Sequence, residues 1–341
     1  MEFFGNYGLF LAKLISILVS ILIALFVLLS VVAHTKAKPK NKLHVQKINK
    51  QYEEYNRILL RAVKNKHEFK LQLRSQKKNR KQKEQLKEAK KRIFVLSFNG
   101  DIHASSVEAL RTEVTALLTL ANRKDEVFVR LESSGGVVHS YGLATSQLQR
   151  IKAANIKLLV SVDRIAASGG YLMACVADYI IAAPFAIVGS IGVLAQLPNF
   201  HRYLQKKSID FEQITSGEYK RTLTLFGKNT EKGRAKIQQE VEEMHKIFKD
   251  FIKEHRRMVN IEQVSTGEHW YALQALHLKL VDELKTSDDY LFTASQTCDL
   301  YEVHYRIKHA LDERLTRSFK KVYQQFCSWF PTDSRLIGGI N

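Results

Sequence analysis

The chain has 341 residues, 45% of them apolar, and a formal net charge of +19, which is enough for one large domain with appendages. Of that charge, +16 falls between His34 and Arg92, where 21 Lys and Arg stand against 5 Asp and Glu, so the rest is nearly neutral and no nucleic-acid partner is expected of it. Cys175, Cys298 and Cys327 are widely spaced without a Cys-x-x-Cys pair, and there is no metal-ligand motif or Walker-type loop, so the expectation excludes a disulfide framework, a metal, ATP and any other cofactor.

Residues 1–8 form a short tail. Residues 9–33 are almost wholly apolar, with Lys13 near the start and no charge from Leu14 onward. Such a run is long enough to cross a bilayer. His34-Thr35-Lys36 follows, not a small-residue cleavage site, so a retained single-pass anchor is expected in place of a removed signal peptide. Residues 34–91 form a basic membrane-proximal region, with a helix over 51–74 and a charged linker over 75–91. Polybasic segments beside a membrane helix bind anionic lipid headgroups. By the positive-inside rule their charge puts the C-terminal side in the cytoplasm.

From residue 92 the pattern changes. The sequence predicts a strand over 93–98, a helix capped by Ser105 or Ser106 and running to 121, and a strand over 126–131. A helix over 137–154, a strand over 156–162 and a helix over 169–177 follow. Alternation of this kind gives right-handed β-α-β units on a largely parallel sheet. Ligands of such sheets sit at the carboxyl ends of the strands. Two turns fall there: Ser133-Ser134-Gly135-Gly136-Val137 and Ala166-Ala167-Ser168-Gly169-Gly170-Tyr171. A serine at a strand-to-helix turn projects its hydroxyl from a rigid edge. The unpaired N–H groups and partial positive charge of the next helix suit a developing oxyanion. Taken singly, either stretch is a tight small-residue turn.

Residues 178–197 are also mostly apolar, but Pro184, Gly189 and Gly192 interrupt them, so a buried strand, turn and strand are expected and not a second membrane span. A short helix over 199–207 precedes a strand over 211–214, which delivers Lys220 in the loop beyond. A lysine there is a solvated charge unless burial leaves it neutral near pH 7. Thr230 caps a long helix running to 259, and Thr266 caps another over 268–278. Residues 310–330 form a basic amphipathic helix for packing on its own domain, a neighbouring subunit or a membrane surface.

Five landmarks in order resemble peptidase family S49, which comprises the signal peptide peptidase A type and the short SohB type. They are the two turns above, Gly189-Ser190-Ile191-Gly192-Val193, Ser216-Gly217-Glu218-Tyr219-Lys220, and a last segment from Thr266-Gly267 through Trp270 and Gln274-Ala275-Leu276 to Asp282-Glu283. The resemblance spans residues 92–291, leaving 292–341 as a C-terminal extension, and the basic N-terminal segment is similar to the SohB branch. It implies an α/β fold of the Clp protease/crotonase kind and a Ser–Lys dyad, Ser168 as nucleophile and Lys220 as base. It also implies an oxyanion hole from the N–H groups of Gly136 and Gly169, with Gly135, Gly170, Ser190 and Gly192 lining the cleft. Ser134 stands where the family often has proline. A homo-oligomeric ring, peptide or signal-peptide substrates, and an exported catalytic domain on a bacterial inner membrane follow from the same resemblance. The last conflicts with the cytoplasmic placement by charge. Two rivals share the fold, a non-catalytic membrane scaffold and an acyl-CoA enzyme. A Ser-His-Asp triad would need His103 or His139, which lack a matching carboxylate motif.

Overall fold

A computed structural model describes residues 8, 10–11, 13–22, 42–72, 74–75 and 90–306. The anchor over 9–33, the linker over 75–91 and the helix over 310–330 lie wholly or largely outside these residues. The chain divides into two compact units, one of residues 43–305 and one of residues 1–42 with 306–341. In the second unit residues 13–22 are helical and exposed. Among the described residues no helix is long and apolar enough to cross a membrane.

The larger unit is an α/β layer structure on one sheet. Among the described residues ten strands take part: β1 (Lys42–Lys47), β2 (Arg92–Gly100), β3 (Glu126–Ser133), β4 (Lys157–Val162), β5 (Ile165–Ala167), β6 (Tyr179–Ala182), β7 (Ile187–Gly189), β8 (His269–Tyr271), β9 (Glu283–Leu284) and β10 (Asp299–Arg306). The main path is β1-β10-β2-β3-β4-β6-β9, and a branch adds β5, β7 and β8. Pairing is parallel from β10 through β9 and along the branch, except for antiparallel β7–β8. Both sheet faces are covered, so the central strands are buried runs. Side chains alternate between faces. Phe94, Leu96, Phe98, Val127, Val129, Leu131, Leu158 and Val160 join the larger core under the helices Val107–Leu118, Val138–Ala153 and Gly169–Ala174. Ile93, Val95, Phe128 and Leu159 join a smaller core with Ile48, Leu291 and Leu300.

One feature of the sheet places the site. β3 pairs with β4 over Glu126–Arg130, then with β5 at Ser133. The turn at Asp163 and Arg164 between β4 and β5 lets the chain switch from the main path to the branch. The residue after β5, Ser168, therefore emerges beside the end of β3.

Several local expectations are corrected. Residues 211–214 form no strand: they are exposed and pair with no strand of the sheet. The helix expected over 268–278 is β8 followed by a helix at Ala272–His277, and Thr266 donates to the Glu268 carboxylate (2.8 Å) without capping it. Ser106 makes no capping bond; its hydroxyl donates to Asn99 O (2.6 Å). Asp101 instead holds the turn ahead of the helix, accepting from Ser105 N–H (2.8 Å) and Ser105 Oγ (2.7 Å), which holds its carboxyl below the ordinary value. Thr230 does cap its helix, Glu231–His255, by accepting from Gly233 N–H (3.1 Å).

The basic region also supplies structure. The helix expected over 51–74 is present with a break: one helix runs Ile48–Val63, residues 64–65 interrupt it, and residues 66–72 and 74–75 are helical again. Asn49 anchors its start, donating to Ser295 O (3.0 Å) and Cys298 O (2.9 Å) and accepting from Leu300 N–H (2.8 Å). β1 and β10 thus bring residues from outside 92–291 into the sheet.

Candidate active site

The carboxyl ends of β2, β3, β5 and β7 converge. β5 hands directly to the helix Gly169–Ala174, and Ser168 sits between them at φ 51°, ψ −117°. A positive φ is uncommon for a residue with a β-carbon, and it persists only where the surroundings impose it. Two bonds do so: Ser168 N–H donates to Gly189 O (2.8 Å) and Leu172 N–H to Ser168 O (2.9 Å). The side chain is half-buried, and its flanks Ala167, Gly169 and Gly170 are buried.

The turn after β3 lies against this elbow. Gly135 has φ +88°, and a β-carbon on it would stand 2.8 Å from Ser168 Cβ, Gly169 N and Ala167 O. Only glycine fits that contact. Gly136 follows on the exposed side. Among the described residues no hydrogen bond takes up Ser168 Oγ or the N–H of Gly136 or Gly169. One hydroxyl and two free donors therefore share a small region with a helix N-terminus. On the other flank, Ser190 N–H donates to Glu268 O (2.7 Å) and Gly192 N–H to Ser190 O (3.0 Å), so the β7 end is fixed as well.

The helix behind the serine is held from below. Tyr171 Oη donates to Leu280 O (2.9 Å). Arg256 grips Asp282 with two 2.8 Å bonds and donates to Lys279 O (2.7 Å). Cys175 is fully buried there, and burial pushes its thiol well above the ordinary range, which leaves an inert core residue.

Lys220 is placed differently. It is exposed and lies in a segment without strand or helix, and none of the described contacts joins it to Ser168. It lines a surface cleft of about 630 Å3 with Leu197, Asn199, Tyr219 and Thr222. The structure thus gathers Gly135, Gly136, Ser168, Gly169, Gly170 and Ser190, and no described hydrogen bond or ion pair joins Lys220 to them. His103 and His139 are exposed; His103 lies beside the Asp101 carboxylate, whose other partner is Ser105 and not Ser168. The sequence reading passed over Tyr141, which is fully buried and whose ring lies under Gly169. Its only signal was an aromatic within the helix that follows the glycine pair.

Two family models match the chain: peptidase family S49 N-terminal over residues 2–148, and peptidase family S49 over residues 150–300. The chain belongs to peptidase family S49. Relatives agree. A probable protease SohB of Haemophilus influenzae is 45% identical over 324 residues, covering 92% of each chain. Another from Buchnera aphidicola subsp. Acyrthosiphon pisum is 56% identical over 233 residues, covering 68% of this chain and 69% of its own. Among solved structures, a lysine-to-alanine variant of the 1510-N membrane-bound stomatin-specific protease, in complex with a substrate peptide, gives a TM-score of 0.43 at 12% identity, covering 69% of this chain and 100% of that one. A ClpP1 variant from Listeria monocytogenes gives 0.38 at 15% identity, covering 59% and 94%. The protein is accordingly a peptidase of this family.

Proposed function

We propose that the chain is a membrane-anchored serine endopeptidase with a Ser–Lys dyad. The observation that carries this reading is the elbow itself: Ser168 at positive φ, its hydroxyl unengaged, beside two unengaged N–H groups. Ser168 Oγ attacks the scissile carbonyl carbon, and its proton passes to neutral Lys220 Nζ. The carbonyl oxygen takes the negative charge and is met by the N–H groups of Gly136 and Gly169; removing one such donor typically costs about 3 kcal/mol of transition-state stabilisation. The C–N bond then breaks, Lys220 returns the proton to the leaving amine, and water hydrolyses the acyl-serine. Lys220 reaches the serine when its exposed segment is pressed onto the cleft, by a bound peptide or by a neighbouring copy in a ring.

The apolar stretch over 9–33 supplies the anchor and the basic segment its lipid contact. A cleft so tethered meets signal peptides, membrane-associated proteins and unfolded segments, at a bacterial inner membrane. The side of the membrane divides two rules: family resemblance gives the periplasm and the positive-inside rule the cytoplasm. A reporter active only outside the cytoplasm, fused after Asn341, decides between them.

The test is hydrolysis of an unstructured, apolar-rich peptide by the full chain. Activity is expected to rise with pH and to vanish in both Ser168→Ala and Lys220→Ala. Full activity of Lys220→Ala would remove the dyad. The exposure of Lys220 favours a second reading, a non-catalytic scaffold on the same fold. Absence of Ser168-dependent hydrolysis, with no covalent labelling of Ser168 by a serine probe, would support it.

A further inference from the structure

We propose that Tyr141 is a positioning residue for hydrolysis, one that fixes the spacing between the N–H groups of Gly136 and Gly169. The inference rests on the oxyanion role proposed above for those groups. One side chain touches both turns. Its ring lies beneath Gly169, where a β-carbon would stand 2.5 Å from Tyr141 Cγ. Its hydroxyl ends a chain of hydrogen bonds that starts in the other turn. Gly135 N–H donates to Ser133 Oγ (3.0 Å), Ser133 Oγ donates to Tyr141 Oη, and Tyr141 Oη donates to Asp101 O (2.7 Å). The directions are forced, because the single tyrosine proton goes to a carbonyl that only accepts, so Ser133 must supply the other.

The peptide anchored by this chain immediately precedes the one that carries Gly136 N–H. Gly135, at φ +88°, passes the orientation on. The far side of the turn is tied to the same loop, since Val137 N–H donates to Ile102 O (2.8 Å). Tyr141 is 0% exposed and Ser133 2%. Burial also raises the Tyr141 hydroxyl above its ordinary value, which keeps it a donor. Packing alone would not require that hydroxyl: Phe98, edge-on to the Tyr141 ring at 6.4 Å, fills its place without one. Gly100 leaves the room that the relay uses, for a β-carbon there would stand 2.5 Å from Tyr141 Oη.

The test compares Tyr141→Phe, Ser133→Ala and the double variant in the full chain. It reads kcat and KM separately on one unstructured peptide, with the melting temperature alongside. Tyr141→Phe keeps the ring under Gly169 and removes only the hydroxyl. Each single variant is expected to lower kcat about tenfold with KM unchanged. The double variant should lose little more, since both changes cut one chain. Wild-type kcat in Tyr141→Phe would overturn the proposal, as would a loss explained by the unfolded fraction or losses that multiply in the double variant. Should Tyr141→Phe fail to fold, Ser133→Ala decides by the same readout. A parallel Ser168→Ala control separates the two levels. If it retains full activity, the serine mechanism itself fails. If it is inactive beside a fully active Tyr141→Phe, only the positioning role fails.

Discussion

Residues 126–192 carry Ser168, residues 194–230 carry Lys220, and the two stretches are built on different terms. The first consists of parallel strands whose side chains are buried on both faces, joined by turns that bond to one another. The second exposes its apolar residues, with Leu194 80% and Ile214 97% accessible. It is held mainly to itself. Phe226 contacts Phe200 and Phe211 at 6.2 and 5.7 Å between centroids, and Asn199 donates to Thr224 O (2.8 Å) and Gly227 O (3.1 Å). Glu218 pairs with Lys232, and Lys236 stands over the Tyr219 ring. Donors aimed at a developing charge are worth most when they need not move during reaction. A base that must close over an extended peptide has the opposite requirement. The division between a fixed half and a loose half matches those two demands.

The largest effect that can break this comparison is catalytic. Ser168→Ala is expected to lose hydrolysis on the order of 10^6-fold, and adding Lys220→Ala should cost little more, because the two act as a unit. Independent losses, read in single and double variants on one peptide, would mean that the loose half contributes nothing through the serine.

Stability sharpens the same contrast. A methyl at Gly169 meets a fully buried ring, so Gly169→Ala should destabilise the fold by about 3 kcal/mol in denaturant titration. A buried carboxyl lies outside both stretches, on the helix Val107–Leu118. Glu113 is 2% exposed and accepts from Tyr305 N–H (2.7 Å), with His304 Nδ1 at 3.6 Å. Burial pushes it from 4.5 to about 7. Between those values the folded chain keeps a proton that the unfolded chain has released, so this group's stabilisation is full below the window and falls as pH rises through it. Glu113→Gln keeps the acceptor and should flatten that slope, raising stability above pH 7 by up to about 3 kcal/mol. The smallest effect belongs to the loose region: Ile214→Ser should leave the melting free energy within about 0.5 kcal/mol. A large loss there would show that the exposed segment is packed in the working protein.

Much of the fixed half was legible in the sequence, since its signals are local. Apolar runs marked the strands, and the small residues Gly135, Gly136, Gly169 and Gly170 marked the turns. Ser168 stood out because a strand and a helix flank it directly. Thr230 announced its helix by the ordinary chemistry of a cap. The loose half was read less well. Phe211 to Ile214 has the alternation of a strand, yet a strand needs a partner, and no strand of the sheet pairs with these exposed residues. Residues 42–49 read as part of the basic membrane-proximal region because the charge of the surrounding residues hides their own apolar pattern. Their place in the fold depends on Asn49 meeting backbone groups at Ser295, Cys298 and Leu300, far along the chain.

The sequence by itself determined which residues could turn, cap and line a sheet, because φ preference, side-chain period and hydrogen-bonding capacity belong to a residue and its near neighbours. Only the tertiary structure decided that β3 changes partner at Ser133, that Gly135 lies against Ser168, and that Tyr141 spans both turns. Those are distances between segments remote in the chain, and they are set by how the sheet branches and how its core packs.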